Sequence, residues 1–308
     1  MMKRIMRMLS AALGVILSIS MLLSALPITA FATEVGTGND GGEMPTGDVA
    51  AFEATGDGTE ANPWKISDVD SLYAFAAKAK NYGYWNKYVE LTADITMPED
   101  SVWYGMRTFQ GTFDGKGHTI SNLLIASSGD ENIGFIRNIS GVIKNLNLAD
   151  ATLKVDDFCS AGVLAGTACD IEISNCNITG GIIASTGEYD SCAGGFVGKT
   201  AYPSFSIRDS TFNGTIRGKV ESAGGLVGTA DVSCNIESCT VTGKIQANQF
   251  AGGLVGQTNS ETKISISGCK NEADVIQEDS RSMGSLRRHA AGGLLGEHSE
   301  YTSIMKIN

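Results

Sequence analysis

Ala193-Gly194-Gly195-Phe196-Val197-Gly198, Ala223-Gly224-Gly225-Leu226-Val227-Gly228 and Ala251-Gly252-Gly253-Leu254-Val255-Gly256 decide the fold. A fourth copy, Ala291–Gly296, carries Leu295 in place of valine, and Ala161–Gly166 keeps the frame as Ala-Gly-Val-Leu-Ala-Gly. Ile133-Gly134-Phe135-Ile136-Arg137 is a degenerate first copy. The second-glycine position falls at 134, 163, 195, 225, 253 and 293, at intervals of 29, 32, 30, 28 and 40 residues. Self-similarity at such a period signals stacked supersecondary units, each too small to bury its own apolar face.

A second pattern follows each copy. Segments beginning at Ile143, Ile173, Ile207, Ile236 and Ile266 align without gaps. Three residues on stand Leu146, Cys176, Ser210, Cys239 and Cys269; two further on, Leu148, Ile178, Phe212, Val241 and Asn271; and two beyond those, Asp150, Gly180, Gly214, Gly243 and Ala273. Steps of two are strand periodicity, with alternate side chains on one face. Each unit therefore offers about three short strands separated by Gly, Asn, Asp or Ser. Coiling the chain so that equivalent strands pair in parallel stacks like residues about 4.8 Å apart and covers every apolar face. The sequence thus predicts an all-β fold, a three-faced parallel β-helix (β-solenoid). Its inward column is Phe135, Leu164, Phe196, Leu226, Leu254 and Leu294, and Gly198, Gly228, Gly256 and Gly296 close the motif. A helical solenoid fails because the repeats lack a 3.6-residue apolar pattern.

These residues resemble bacterial surface proteins with repeated GLUG motifs, named for a Gly-Leu-any-Gly core. The matching cores are Gly195–Gly198, Gly225–Gly228, Gly253–Gly256 and Gly293–Gly296. The lead-in Phe109-Gln110-Gly111-Thr112-Phe113-Asp114-Gly115-Lys116-Gly117-His118-Thr119-Ile120, followed by Ser121-Asn122-Leu123, is similar as well. The resemblance implies a right-handed parallel β-helix on an exported, often wall-associated protein. Such modules occur in adhesin-like proteins and beside the peptidase domains of immunoglobulin A1 proteases, where they are accessory, so the resemblance carries no protease activity.

Outside the repeats the chain divides further. Lys3, Arg4 and Arg7 precede an uncharged, mostly apolar run from Met8 to Leu26, then Pro27 and Ala30-Phe31-Ala32. This is the pattern of a secretory signal peptide over 1–32, the alternative being an uncleaved anchor. Loss of its three cations takes the net charge from −11 to −14. Residues 33–60 hold seven acids and no Lys or Arg, which predicts an acidic flexible linker. Residues 61–130 read as a cap and first coils: Ser67 and Asp70 suggest a helix start, Leu72, Phe75, Ala76 and Ala79 share one helical stripe, and Tyr82-Gly83 would end it. Short strands are expected at Tyr88–Leu91 and Asp94-Ile95. Residues 131–308 are the repeats, without a visible polar cap after Gly296, as if the chain were a piece of a longer protein.

Few residues carry recognisable chemistry. None of His118, His289 and His298 begins an H-E-x-x-H helix, and there is no G-x-S-x-G elbow. Asp114, Lys116 and His118 share a strand face and could form an acid–base cluster, or simply be a polar turn. Asp156, Asp157, Glu188 and Asp190 begin neighbouring strands; stacked, they could hold calcium or flank a glycan, and otherwise they are exposed loop carboxylates. Asn271 interrupts an apolar column. Arg281, Arg287, Arg288 and His289 crowd the long last interval, where a basic loop could grip an anionic polymer. Seven cysteines contain no C-x-x-C pair; Cys176, Cys239 and Cys269, at the place of Leu146, are expected as buried, apolar-like thiols, and a Cys159–Cys192 disulfide is conceivable. Neither catalytic nor cofactor residues are assigned, calcium apart. The acidic charge argues against nucleic acid as partner, and the chain beyond the leader lacks a membrane span. The expected function is a secreted or surface-associated, non-enzymatic adhesion scaffold, a monomer or part of a longer chain. Glycans, host surfaces or bacterial wall polymers are its expected partners. The alternatives are a carbohydrate-active β-helix enzyme, a polysaccharide lyase or glycoside hydrolase, or a passive stalk.

Overall fold

The computed structural model describes residues 55–79, 86–126, 131–156, 160–184, 191–259, 262–278, 290–298 and 305–307, all within one compact unit spanning 41–308. The leader, most of the acidic linker and the basic stretch 281–289 lie outside the described residues.

Those residues form a parallel β-solenoid. One coil shows the path: Cys192–Gly194 lies in a six-stranded sheet, Val197–Arg208 in a twelve-stranded sheet, and Thr211–Gly218 in a nine-stranded sheet. Ser222–Gly224 then returns beside Cys192–Gly194, in parallel and in register. The sequence alignment is reproduced residue for residue along much of the stack. Ile143, Ile173, Ile207, Ile236 and Ile266 pair in succession. So do Leu148, Ile178, Phe212, Val241 and Asn271. A one-residue slip would turn every apolar side chain outward, so this pattern fixes the register.

The glycines of the motif are demanded by close approach of backbones. A Cβ on Gly194 would lie 1.9 Å from the Val197 carbonyl oxygen, and one on Gly195 2.1 Å from the Gly225 carbonyl oxygen in the next coil. Only hydrogen fits there. Between these glycines the motif's large apolar residue turns inward. Phe135, Leu164, Phe196, Leu226 and Leu254 are all buried. Their backbones also stack: Phe196 N–H donates to the Leu226 carbonyl at 3.1 Å, and Leu226 N–H to that of Leu254 at 2.9 Å. Leu294 differs from its column-mates, being only partly buried, because no described coil covers it.

Two local readings need correction. The alignment places Asp150 opposite Gly180, but Ala151 pairs with Gly180 and Asp150 stands in a bulge, in the left-handed region at φ 53°. Aspartate tolerates that conformation, and the slip returns Leu153 to the core opposite Ile182. The helix, α1, spans Val69–Lys78 and is capped by Asp68, not by Ser67. Asp68 Oδ1 accepts from Ser71 N–H at 2.8 Å and Ser71 Oγ from Asp68 N–H at 3.1 Å. This reciprocal box lies one residue beyond the Ser67/Asp70 pair, so geometry chooses between two overlapping cap patterns. The stripe Leu72, Phe75, Ala76 and Ala79 is buried as expected. Tyr82-Gly83 lies outside the described residues. Strands Lys87–Leu91 and Ile95–Thr96 follow. Among the described residues no helix is long and apolar enough to cross a membrane.

Candidate functional site

The outward face of the nine-stranded sheet carries the most differentiated surface. Thr152, Gly181 and Thr215 are in register on three successive coils, as are Lys154, Ile183 and Arg217. Gly180 and Gly181 contribute no side chains between the two threonines, so an open cleft of about 470 Å³ forms there. Its walls are Thr152 and Thr215, which lie two strand spacings apart, about 9.6 Å. Ile183, 37% exposed, lies against one end beside Arg217, and Asp150 stands at its rim on the bulge. A Cβ on Gly181 would meet the Thr215 carbonyl oxygen at 2.3 Å, so the gap is built into the backbone. Hydroxyls, one carboxylate, one guanidinium and an apolar wall suit a hydroxyl-rich ligand with apolar ring faces. The sequence left this cleft unread because Gly180-Gly181 looks like any strand-end glycine pair. The available signal was Gly181 alone at a position where its register partners are threonines.

Ladders of polar side chains border the face. Asn175 Nδ2 donates to Asn145 Oδ1 at 2.8 Å, and Asn145 Nδ2 to Asp114 Oδ1 at 2.9 Å. A parallel row runs from Thr211 Oγ1 to Asn177 Oδ1 at 2.7 Å and from Asn177 Nδ2 to Asn147 Oδ1 at 2.9 Å. Asn145, Asn175, Asp209 and Ser238 all occupy the left-handed region, with φ between 51° and 54°, and Gly268 follows at 61°. The corner between the twelve- and nine-stranded sheets therefore selects Asn, Asp, Ser or Gly, residues that accept this conformation or bond locally to hold it.

Of the carboxylates singled out from the sequence, Asp114 and Asp156 lie among the described residues. Asp114 and Lys116 do meet: Asp114 Oδ1 accepts from Lys116 N–H at 2.9 Å, and its Oδ2 lies 3.8 Å from Lys116 Nζ and 3.5 Å from Lys144 Nζ. Burial alone would raise the Asp114 pKa; the Asn145 amide, the Lys116 N–H and the two lysine charges together lower it. His118 turns elsewhere, its Nδ1 3.2 Å from Asp94 Oδ1. Asp114 is thus an ionised, hydrogen-bonded carboxylate, its charge balanced by two lysines, that braces a turn. Asp156 is exposed, while Asp157, Glu188, Asp190, Arg281, Arg287, Arg288 and His289 lie outside the described residues. No group of three or more His, Cys, Asp or Glu among the described residues could hold a metal ion. Asn271, the break in the apolar column, accepts from Ala273 N–H at 3.1 Å and so satisfies its own amide oxygen.

The description of the GLUG motif as a family matches residues 189–217 and 220–246. This chain carries GLUG repeats. The two matched segments contain the cores at Gly195–Gly198 and Gly225–Gly228, and the register extends the same repeat to Gly253–Gly256 and Gly293–Gly296. Halomucin of Haloquadratum walsbyi is 30% identical over 165 residues, which are 47% of this chain and 2% of that protein. The chain therefore spans only a small fraction of that relative's length. The crystal structure of a candidate immunoglobulin A1 protease from Bacteroides ovatus superposes with a TM-score of 0.63 at 22% identity, over 82% of this chain and 79% of that one. That likeness concerns the fold.

The GLUG coils also hold a column of small corner residues facing inward. Cys176 and Cys239 are buried and Cys269 is half-buried. Their sequence reading as apolar fillers is incomplete. Cys176, Ser210, Cys239 and Cys269 each direct the side-chain S–H or O–H to the carbonyl two residues earlier, at 3.3, 2.7, 3.2 and 3.3 Å. Two of them also accept a backbone N–H from the preceding coil: Ser210 Oγ from Cys176 at 3.1 Å and Cys269 Sγ from Cys239 at 3.4 Å. From Cys176 onward the column takes small side chains that donate, and Ser210 among the cysteines was the sign of it; the buried Leu146 fills the same place in the first coil by packing alone. Burial pushes the thiols of Cys176 and Cys192 up to about 11, and that of Cys234 to about 12. Cys159, and with it the Cys159–Cys192 pairing, lies outside the described residues.

Proposed function

We propose that this chain is a secreted or surface-exposed β-solenoid that acts as a non-enzymatic interaction scaffold and binds glycans on the outward face of its nine-stranded sheet. The cleft over Gly180 and Gly181 carries this reading. It breaks an otherwise regular face with a gap wide enough for a sugar ring, and it sets hydroxyls, the Asp150 carboxylate and the Arg217 guanidinium around the gap. The leader-like N-terminus and the GLUG repeats support export. The environment of Asp114 supports binding over catalysis, because its lysine and amide partners hold it ionised and occupied.

Glycan-array screening of the full chain, followed by titration calorimetry on the hits, tests the proposal. Glycan binding should be lost in Thr215→Trp, which crowds the gap from its wall, and weakened at least tenfold in Arg217→Ala. Thermal unfolding checks that each variant is folded. Binding that survives in a folded Thr215→Trp protein would place the ligand elsewhere. Release of reducing ends from any bound polysaccharide would replace the scaffold reading with an enzyme.

A further inference from the structure

Cys239 and Cys269 occupy the same corner of two successive coils. Their flanking residues pair in parallel register, Glu237 with Ser267 and Thr240 with Lys270. Neighbouring strands lie about 4.8 Å apart, inside the Cα separation of about 4.4–6.8 Å that a disulfide spans. Contact between the residues is direct, since Cys269 Sγ lies 3.4 Å from the Cys239 backbone nitrogen. Elsewhere the cross-coil neighbour is a hydroxyl: Cys176 N–H donates to Ser210 Oγ, and Cys234 Sγ lies 3.9 Å from Thr200 Oγ1.

We propose that Cys239 and Cys269 form a redox-active dithiol that closes into a disulfide joining two successive coils. The two sulfurs are not equivalent. Cys239 is buried, whereas Cys269 is half-buried and is the one a soluble oxidant can reach. The neighbouring Cys239 thiol and its N–H, which donates to Cys269 Sγ, lower the Cys269 pKa, against the opposing effects of burial and the Glu237 charge. Cys239 moves the other way, through the same hydrogen bond, its burial and the Asp209 charge. Cys269 is therefore the attacking thiolate. With a small disulfide as oxidant, Cys269 sulfur attacks one sulfur of the oxidant, whose S–S bond breaks and whose other half leaves as a thiolate that takes up a proton. Cys239 sulfur then attacks Cys269 sulfur, loses its proton and expels the second half as a thiol. The protein is oxidised by two electrons, and one oxidant disulfide is reduced to two thiols. This inference stands apart from the glycan reading, since the pair faces inward at a different corner.

The test treats the full chain with oxidised glutathione, alkylates the remaining thiols and maps peptides without reduction. The expected product is one cross-link between the peptides of Cys239 and Cys269, together with an upward shift of the urea midpoint. In Cys239→Ser the reaction should stop with one glutathione on Cys269; in Cys269→Ser, Cys239 should stay unmodified. Serine already fills this corner at position 210, so both variants keep a small donor there, and circular dichroism verifies their fold. Alkylation under native conditions in the unmutated chain gives a second readout: Cys269 should react at neutral pH, far faster than Cys176. Recovery of both residues alkylated after oxidation of folded protein, or glutathione persisting on Cys269 of the unmutated chain, would overturn the proposal.

Discussion

Leu226→Ala offers the sharpest test of the stacked column. Leu226 is fully buried, between Phe196 and Leu254 of the adjoining coils. Truncation strips three carbons from the core, at about 0.8 kcal/mol each. The backbones above and below are tied by hydrogen bonds of 3.1 and 2.9 Å, so the site cannot collapse and a cavity contribution is added. The expected loss is about 3–4 kcal/mol. Leu294→Ala, the same substitution in the same motif, removes a side chain that is only partly buried, and should cost about 1 kcal/mol. Urea unfolding followed by far-ultraviolet circular dichroism measures both, with differences taken from midpoints at unchanged slope. Leu226→Phe should be milder than Leu226→Ala, at about 1–2 kcal/mol, because Phe135 and Phe196 already occupy the column. Equal losses at 226 and 294, or a loss under about 1 kcal/mol at 226, would refute the argument that coil stacking, not the motif itself, sets the cost.

The motif glycines should separate in the same way. Gly253→Ala would drive a Cβ to 2.0 Å from the Gly293 carbonyl oxygen and should destabilise by about 1–3 kcal/mol, whereas Gly293→Ala meets nothing within 4 Å and should be neutral or slightly stabilising in the same urea assay. Asp68→Ala removes the cap of α1 and should cost about 1 kcal/mol, with Asp68→Asn recovering most of it. Asp114 has a folded-state pKa below its unfolded value. Its contribution is thus complete above the ordinary carboxylate range and is lost as pH falls through the lowered folded value. Thermal stability between pH 6 and 3, read by calorimetry, should fall less steeply in Asp114→Asn than in the unmutated chain.

Much of this architecture was legible in the chain because a solenoid writes its tertiary contacts into its own period. The Ile143-to-Ile266 column and the Phe196/Leu226/Leu254 column could be aligned by eye, and each aligned set became a set of paired residues. Failures came where one residue shifts the count. Asp150 slips into a bulge, and Asp68 displaces Ser67 as the cap, because backbone geometry selects between alternatives that composition leaves equal. The candidate site was much less legible. Thr152, Gly181, Thr215 and Arg217 are distributed over three coils, and the Asp114 cluster kept Lys116 but lost His118 to Asp94.

The sequence by itself determined the repeat length, the inward columns and the parallel stacking, because an alternating strand with no partner of its own must be covered by its equivalent in the next coil. Only the tertiary structure decided the surface and the corners. It showed which outward residues of separate coils share a cleft, and that Cys239 lies against Cys269 while Cys176 lies against Ser210. The physical reason is that inward positions answer to one requirement, burial, repeated at every coil. Outward and corner positions answer to neighbours about thirty residues away, and bulges and left-handed corners set which neighbour is met.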